Sequence, residues 1–162
     1  MMPDPVTAAF RAVVVDHVCF VRYYTVISPT LIADVLRIVG EARRKTKGPL
    51  YYCSLNDESL PAPTAERQKL MVPFAVQLLR SVDSMHIVFE GNGMRQQMMR
   101  MSMHAMITAA RLAKRLFGYE VGDVAERVFL HPDVPHFLAR VGDKLEMPRD
   151  AILRAAAEGG VL

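Results

Sequence analysis

The sequence predicts an α/β domain built on a mixed sheet of four or five strands. Short runs rich in β-branched and aromatic residues alternate with longer segments whose apolar residues recur at helical spacing. The first two of these short runs follow each other with only a brief turn between them, which predicts a hairpin. A hairpin followed by alternating helices and strands implies a mixed sheet with helices packed against it.

The length and composition of the chain fit one globular domain. With 162 residues, 51% of them hydrophobic and 23% charged, the chain can close a hydrophobic core without disulfides or metal. The predicted division is an N-terminal extension over residues 1–11, an α/β domain over residues 12–142 and a C-terminal helical extension over residues 143–162.

Each strand is predicted from a β-rich run and each helix from its start signal and spacing. The predicted strands cover residues 12–15, 18–25, 50–55, 85–89 and 127–130. The predicted helices cover residues 28–47, 64–80 and 94–117, followed by a short helix after Pro132 and a last one over 149–158. Ser28 and Thr64 are suitable N-caps. Pro73 removes an internal hydrogen bond, so a kink or break is expected there.

Charge and cysteine content indicate a cytoplasmic protein. The net charge of +3 is small, and the densest basic run, residues 43–47, lies where a helix ends, so no nucleic-acid partner is expected. Cys19 and Cys53 are isolated and lack metal-site spacing, which favours reduced, buried thiols. Neither a leader nor a membrane span is predicted, and neither a membrane partner nor a cofactor is expected.

The order of elements resembles that of the STAS domain, the fold of anti-anti-sigma factors and of the cytoplasmic part of sulfate transporters. The matching segments are the strand, glycine-rich turn and helix start from Ile87 to Arg95, and the Val128-Phe129 strand with its following helix. The resemblance implies helices mainly on one face of the sheet and a non-enzymatic regulatory module that binds proteins. It also implies a phosphorylated switch residue after the third strand, for which Ser59 and Thr64 are the counterparts.

A glycine-rich turn is the candidate site for a small ligand. Gly91, Asn92, Gly93 and Arg95 lie between a strand and a long helix, where backbone N–H groups can bind a phosphate or another anion. The turn lacks a full dinucleotide or P-loop fingerprint, which favours the alternative explanation, a tight strand-to-helix turn that needs a positive φ.

Methionine is concentrated in the long helix. One stripe of it, with Met94, Met98 and Met101, is expected to pack on the core, and Met99, Met103 and Met106 form an adjoining stripe that is a candidate interface. The adjoining stripe, the apolar C-terminal helix or both predict a homodimer. A Cu(I) site formed by these methionines with His104 is a weaker alternative.

No catalytic motif is recognisable in the chain. His131, Asp133 and His136 have the residue types of a metal site, but the prolines between them favour a capped helix start, and no metal is predicted. An enzyme of unknown class stays open as an alternative. It would require a deep pocket that brings His17, His86 or His104 together with a carboxylate.

Overall fold

A computed structural model describes residues 9–117 and 124–162 of the chain, with a five-stranded mixed sheet at its centre. The strands are β1 (Phe10–Val15), β2 (Val18–Tyr23), β3 (Tyr51–Asn56), β4 (Ser84–Phe89) and β5 (Val128–His131). They lie side by side in chain order. The β1–β2 pair is antiparallel, and every later pair is parallel. The predicted α/β class with a mixed sheet is therefore confirmed.

The helices begin and end close to the predicted residues. They are α1 (Pro29–Lys45), α2 (Ala65–Leu78), α3 (Met94–Phe117), α4 (Val134–Val141) and α5 (Arg149–Glu158). Ser28 caps α1 by accepting from the backbone N–H of Leu31 at 3.2 Å, and Thr64 caps α2 in the same way. Within the described residues, the structure has no helix that is both long and apolar enough to span a membrane.

Helices α1, α2 and α3 pack on one face of the sheet. Val35 and Val39 of α1 and Leu78 of α2 are fully buried there against alternate residues of the strands, such as Val21 and Tyr52. Each parallel connection from β2 to β5 thus places its helix on this face, as predicted for the three long helices.

The opposite face of the sheet is covered by α4 and α5. Phe137 and Leu138 of α4 and Ile152 and Ala156 of α5 have no solvent exposure, and Val161 behind α5 is equally buried. The C-terminal helix is therefore part of the core. The prediction that it adds an apolar surface for dimerisation is wrong, because its apolar residues cover strands that would otherwise expose Phe20 and Cys53.

The central strands are buried on both faces, so their side chains alternate between two cores. Cys19 packs with the α1–α3 side and Cys53 with the α4–α5 side, and both are free thiols. Burial raises the pKa of the Cys19 thiol to about 12. The expectation of buried, reduced thiols is confirmed.

Pro73 does not break α2, which continues from Ala65 to Leu78. The hydrogen bond that this proline removes lies on the exposed side of the helix, where water can satisfy the free carbonyl. On the inner side, burial of Phe74 and Leu78 holds the helix to the core.

The burial of α5 predicts the effect of a core truncation. Ile152→Ala is expected to lower the free energy of unfolding by about 2–5 kcal/mol, because it leaves a cavity in a closed core. The matched control is Arg154→Ala on the exposed side of the same helix, for which a change below about 0.5 kcal/mol is expected. Urea unfolding monitored by circular dichroism measures both; equal losses in the two variants would contradict the packing of α5 into the core.

Candidate functional site

A cavity of about 400 Å³ lies between the sheet, α2 and α3. Its walls come from the carboxyl ends of β2, β3 and β4, from the loop that contains Leu60 and Pro61, and from the inner sides of the two helices. The carboxyl ends of parallel strands form the edge at which α/β folds most often bind ligands. The volume is within the range of small-molecule sites.

The cavity walls are mostly apolar and are uncharged. Phe74 of α2, Met85 and Phe89 of β4 and Met99 and Met103 of α3 provide much of the surface. The lining residues in the described part of the chain include no Asp, Glu, Lys, Arg or His. A ligand that binds here therefore exchanges water for apolar contacts.

Hydroxyl and amide groups give the cavity a short polar floor. The hydroxyl groups of Tyr23 and Tyr52 hydrogen-bond each other, and Asn56 Nδ2 donates to Ser54 Oγ at 3.2 Å. Burial raises the pKa of both tyrosines well above the ordinary value, so both stay protonated at neutral pH. Because the tyrosines stay protonated, they can hydrogen-bond a ligand but do not act as bases at neutral pH.

Helix α3 has the opposite orientation to the one predicted from its methionines. Met99 and Met103, two of the predicted interface residues, pack against the core together with Ile107, while Met106 is 44% exposed beside the cavity. The prediction of an interface formed by Met99, Met103 and Met106 is therefore wrong for its first two members. The stripe expected to be buried is instead exposed: Met94 is 79%, Met98 65% and Met101 72% accessible.

Polar side chains explain this orientation. Gln96, only 2% exposed, donates from Nε2 to the carbonyl oxygens of Asn56 at 3.3 Å and Glu90 at 2.8 Å. Arg100 donates to the carbonyls of Phe89 and Gly91, and Arg111 to those of Ala125 and Val128. Because these carbonyls need donors, the side of α3 that carries Gln96 and both arginines turns inward.

The glycine-rich turn binds a carboxylate of the chain itself. Gly91 has φ 91°, and a Cβ at this position would overlap the side chain of Glu58. Glu58 Oε1 accepts from the Gly93 N–H at 3.2 Å, and Arg95 is exposed. The turn formed by Gly91, Asn92, Gly93 and Arg95 was predicted to bind an anion through its backbone N–H groups. An external anion would first have to displace Glu58 from the N–H group of Gly93. The positive φ at Gly91 fits the alternative explanation, a tight turn.

The two candidate switch residues occupy different positions. Ser59 is exposed after β3, and its backbone N–H and its hydroxyl group both donate hydrogen bonds to Asp57 Oδ1. A phosphate on Ser59 would lie beside the carboxylate of Asp57, whose pKa is lowered chiefly by the Ser59 hydroxyl. Thr64 is engaged as the N-cap of α2, where Oγ1 accepts from the Arg67 N–H at 3.3 Å.

Two buried histidines form a pair on the other side of the sheet. His86 Nδ1 and His131 Nε2 are 2.8 Å apart, and His86 Nε2 is 2.8 Å from Ser84 Oγ. Phe129 stacks on His86, with ring centroids 5.3 Å apart. Burial, with the neighbouring charge of Arg140, lowers the pKa of His86 to about 3 and that of His131 to about 4. Both rings are therefore neutral at physiological pH.

His131, Asp133 and His136 do not converge on one point. His131 points into the core toward His86, whereas Asp133 caps α4 by accepting from the His136 N–H at 2.8 Å. The predicted capped helix start is confirmed. His104, His131 and His136 line a second cavity of about 360 Å³ at the β5 edge, with Arg111 and Arg140.

A group that the sequence did not reveal lies at the hairpin turn between β1 and β2. His17, Asp16 and Glu146 bring three side chains within 4.8 Å of one another. The sequence marks His17 only as one of three histidines for a pocket with a carboxylate, and no spacing signal connects it to a residue as distant in the chain as Glu146. The ring nitrogens of His86, by contrast, contact Ser84 and His131 and not a carboxylate.

Comparison with protein-family models gives no match, and comparisons with curated proteins and with solved structures give none either.

The histidine pair predicts how stability depends on pH. In the unfolded chain the two rings have the ordinary pKa of 6.5, whereas in the folded chain the pKa of His86 is about 3 and that of His131 about 4. As the pH falls below 6.5, the unfolded chain takes up protons first, so stability is complete above 6.5 and is lost progressively toward pH 4. Urea unfolding across this interval measures the loss.

A variant pair isolates the contribution of these rings from that of the carboxylates. His131→Gln removes one histidine with a lowered pKa, so the free energy of unfolding is expected to fall less steeply as the pH is lowered. The control His104→Gln changes an exposed histidine of α3 and should leave this pH dependence as it is in the natural chain. Parallel curves for the natural chain and both variants would contradict the lowered pKa of the pair.

Proposed function

We propose that the chain is a non-enzymatic regulatory module that binds a small, largely apolar ligand in the cavity between α2, α3 and the sheet. The observation that supports this most is the cavity itself, which combines a ligand-sized volume with apolar walls and a short polar floor. A charged ligand would lose hydration without meeting an opposite charge. The expected ligand is therefore uncharged, with one or two groups that hydrogen-bond Tyr23, Tyr52 or Ser54.

The same helix also supports the proposed role in protein interactions. The exposed residues Met94, Met98, Met101 and Leu112 form one apolar stripe of α3, here called the methionine face. Together with the exposed Ala105 and Thr108, they follow intervals of four and three residues, the spacing by which one helix packs along another. We therefore propose that a second copy of the chain covers the methionine face, giving a symmetric dimer.

Ligand and partner would meet at Met98. This side chain lines the cavity and belongs to the methionine face, where it is 65% exposed. A ligand that fills the cavity changes the contacts of Met98 from within, and the partner contacts it from outside. Because both ligand and partner contact Met98, binding of a ligand in the cavity would change the affinity between the two subunits.

The finer fold assignment is also a proposal. A hairpin that leads into parallel strands, with the first three helices on one face, supports a STAS-like domain. In such a module the exposed Ser59 after β3 would be the switch residue. A cytoplasmic location is proposed with it, in keeping with the two free thiols.

The ligand proposal predicts that the cavity takes up an apolar probe. An uncharged naphthylamine dye, whose fluorescence rises in apolar surroundings, is expected to bind the natural chain. Ser102→Phe places a ring where the cavity opens and should weaken dye binding by about tenfold, or about 1.4 kcal/mol. The control His104→Phe adds the same ring at an exposed position of α3 outside both the cavity and the methionine face, and it should leave binding unchanged. Equal binding by both variants would contradict the cavity as the site.

The dimer proposal predicts that charge on the methionine face separates the subunits. The double variant Met94→Glu with Met101→Glu places like charges across a twofold contact and leaves the cavity lining intact. Sedimentation should show a shift from dimer to monomer. The control Met147→Glu alters another exposed methionine, outside α3, and should remain dimeric. A natural chain that sediments as a monomer at high concentration would refute the dimer and leave the ligand proposal standing.

A further inference from the structure

The group at the β1–β2 turn joins two distant parts of the chain. Asp16, with φ 54°, and His17 form the turn, and Glu146 lies in the segment between α4 and α5. This turn precedes β2, whereas the proposed ligand cavity lies at the carboxyl ends of the parallel strands. The group is therefore separate from the site already described.

Hydrogen bonds orient the two buried side chains, those of His17 and Asp16, here called the inner ligands. In each side chain, the atom that makes these bonds is the one facing away from the group, Nδ1 of His17 and Oδ2 of Asp16. His17 Nδ1 is 2.8 Å from the carbonyl oxygen of Pro49, which can only accept, so Nδ1 carries the proton. In the neutral ring, Nε2 then has a free lone pair. Asp16 Oδ2 accepts from the backbone N–H groups of Glu146 at 2.8 Å and Met147 at 3.1 Å, which fixes the direction of Oδ1.

Nε2 of His17 lies at the spacing of two metal ligands from an oxygen of each carboxylate. His17 Nε2 is 3.5 Å from Asp16 Oδ1 and 3.4 Å from Glu146 Oε1. These distances are longer than the usual N–H···O range of about 2.7–3.2 Å. Two ligand atoms bound to one tetrahedral zinc ion, each at about 2.0–2.1 Å, lie about 3.3 Å apart. The spacing suits a shared cation better than direct hydrogen bonds.

Burial and charge favour a cation at this point. The side chains of His17 and Asp16 are 9% and 4% exposed, so a carboxylate and an imidazole nitrogen are held together away from water. Glu146 is 81% exposed and brings a second carboxylate from the solvent side. A divalent ion would neutralise the two negative charges, and the nitrogen ligand favours a zinc-type ion over calcium or magnesium.

We propose that Asp16, His17 and Glu146 bind one divalent cation of the zinc class through Oδ1, Nε2 and Oε1, with water completing the coordination. His17 and Asp16 each hydrogen-bond the backbone through the atom that would not bind the ion, and such bonds orient protein ligands toward metals. The ion would tie the β1–β2 turn to the segment before α5 and so stabilise the packing of the C-terminal helix.

The test is titration of chelator-treated protein with zinc chloride. Calorimetry should give one site per chain, and the thermal unfolding midpoint should rise with zinc. Nitrogen-15 NMR of the histidine rings should show that Nε2 of His17 is the atom that changes. The alternative is a metal-free ion pair of protonated His17 with the two carboxylates, in which case zinc produces neither a single site nor the NMR change.

Two variants and two controls separate the proposed site from surface binding. Glu146→Gln changes an exposed residue and preserves folding, and Asp16→Asn tests the inner carboxylate; each should weaken zinc binding by about tenfold or more. The controls are Glu158→Gln, an exposed carboxylate of α5, and His136→Gln, which removes the exposed His136–Asp133 pair. Both should bind zinc normally. Unchanged binding in Glu146→Gln, or loss in His136→Gln alone, would overturn the assignment.

Discussion

The structure depends on one constraint: strands β2, β3 and β4 are the inner strands of a mostly parallel sheet and must be covered on both faces. Helices α1 to α3 can cover only one face, because every connection from β2 to β5 packs there. The other face is closed by α4 and α5 at the end of the chain. Arg22 of β2 holds the C-terminal segment in place, because its Nε donates to the Val161 carbonyl while its two terminal nitrogens bind the Glu90 carboxylate. The C-terminal segment is thus as much a part of the fold as the hairpin.

The carboxyl ends of the strands impose a second requirement, which links the fold to the proposed function. Their carbonyl groups need donors, and Gln96 and Arg100 of α3 provide them at the ends of β3 and β4. Satisfying these groups fixes the rotation of α3 and turns Met99 and Met103 into the cavity wall. The same rotation leaves Met94, Met98 and Met101 in solvent. Cavity and methionine face are therefore two consequences of one arrangement of polar groups.

Three clusters of polar side chains lie in different parts of the domain, and each suits a different chemical role. At the carboxyl edge, neutral tyrosine, serine and asparagine groups suit an uncharged ligand. At the opposite end of β2, His17 and two carboxylates suit a cation. Between β4 and β5, burial keeps His86 and His131 neutral, which makes them a source of acid sensitivity. The turn predicted to bind an anion is instead occupied by Glu58, a residue whose role could not be read from its neighbours in sequence.

The order and the approximate bounds of the helices and strands can be predicted from the sequence, because spacing, caps and turn residues are local signals. The α3 and α5 helices have the predicted bounds, and Ser28, Thr64 and Asp133 cap helices as their residue types indicate. Which side of α3 is covered depends on the packing of the whole domain, because periodicity groups residues into faces without indicating what packs on each face. The same packing also decides that Ile152 is core and that His17 meets Glu146. Such contacts depend on how distant segments pack, which no local pattern encodes.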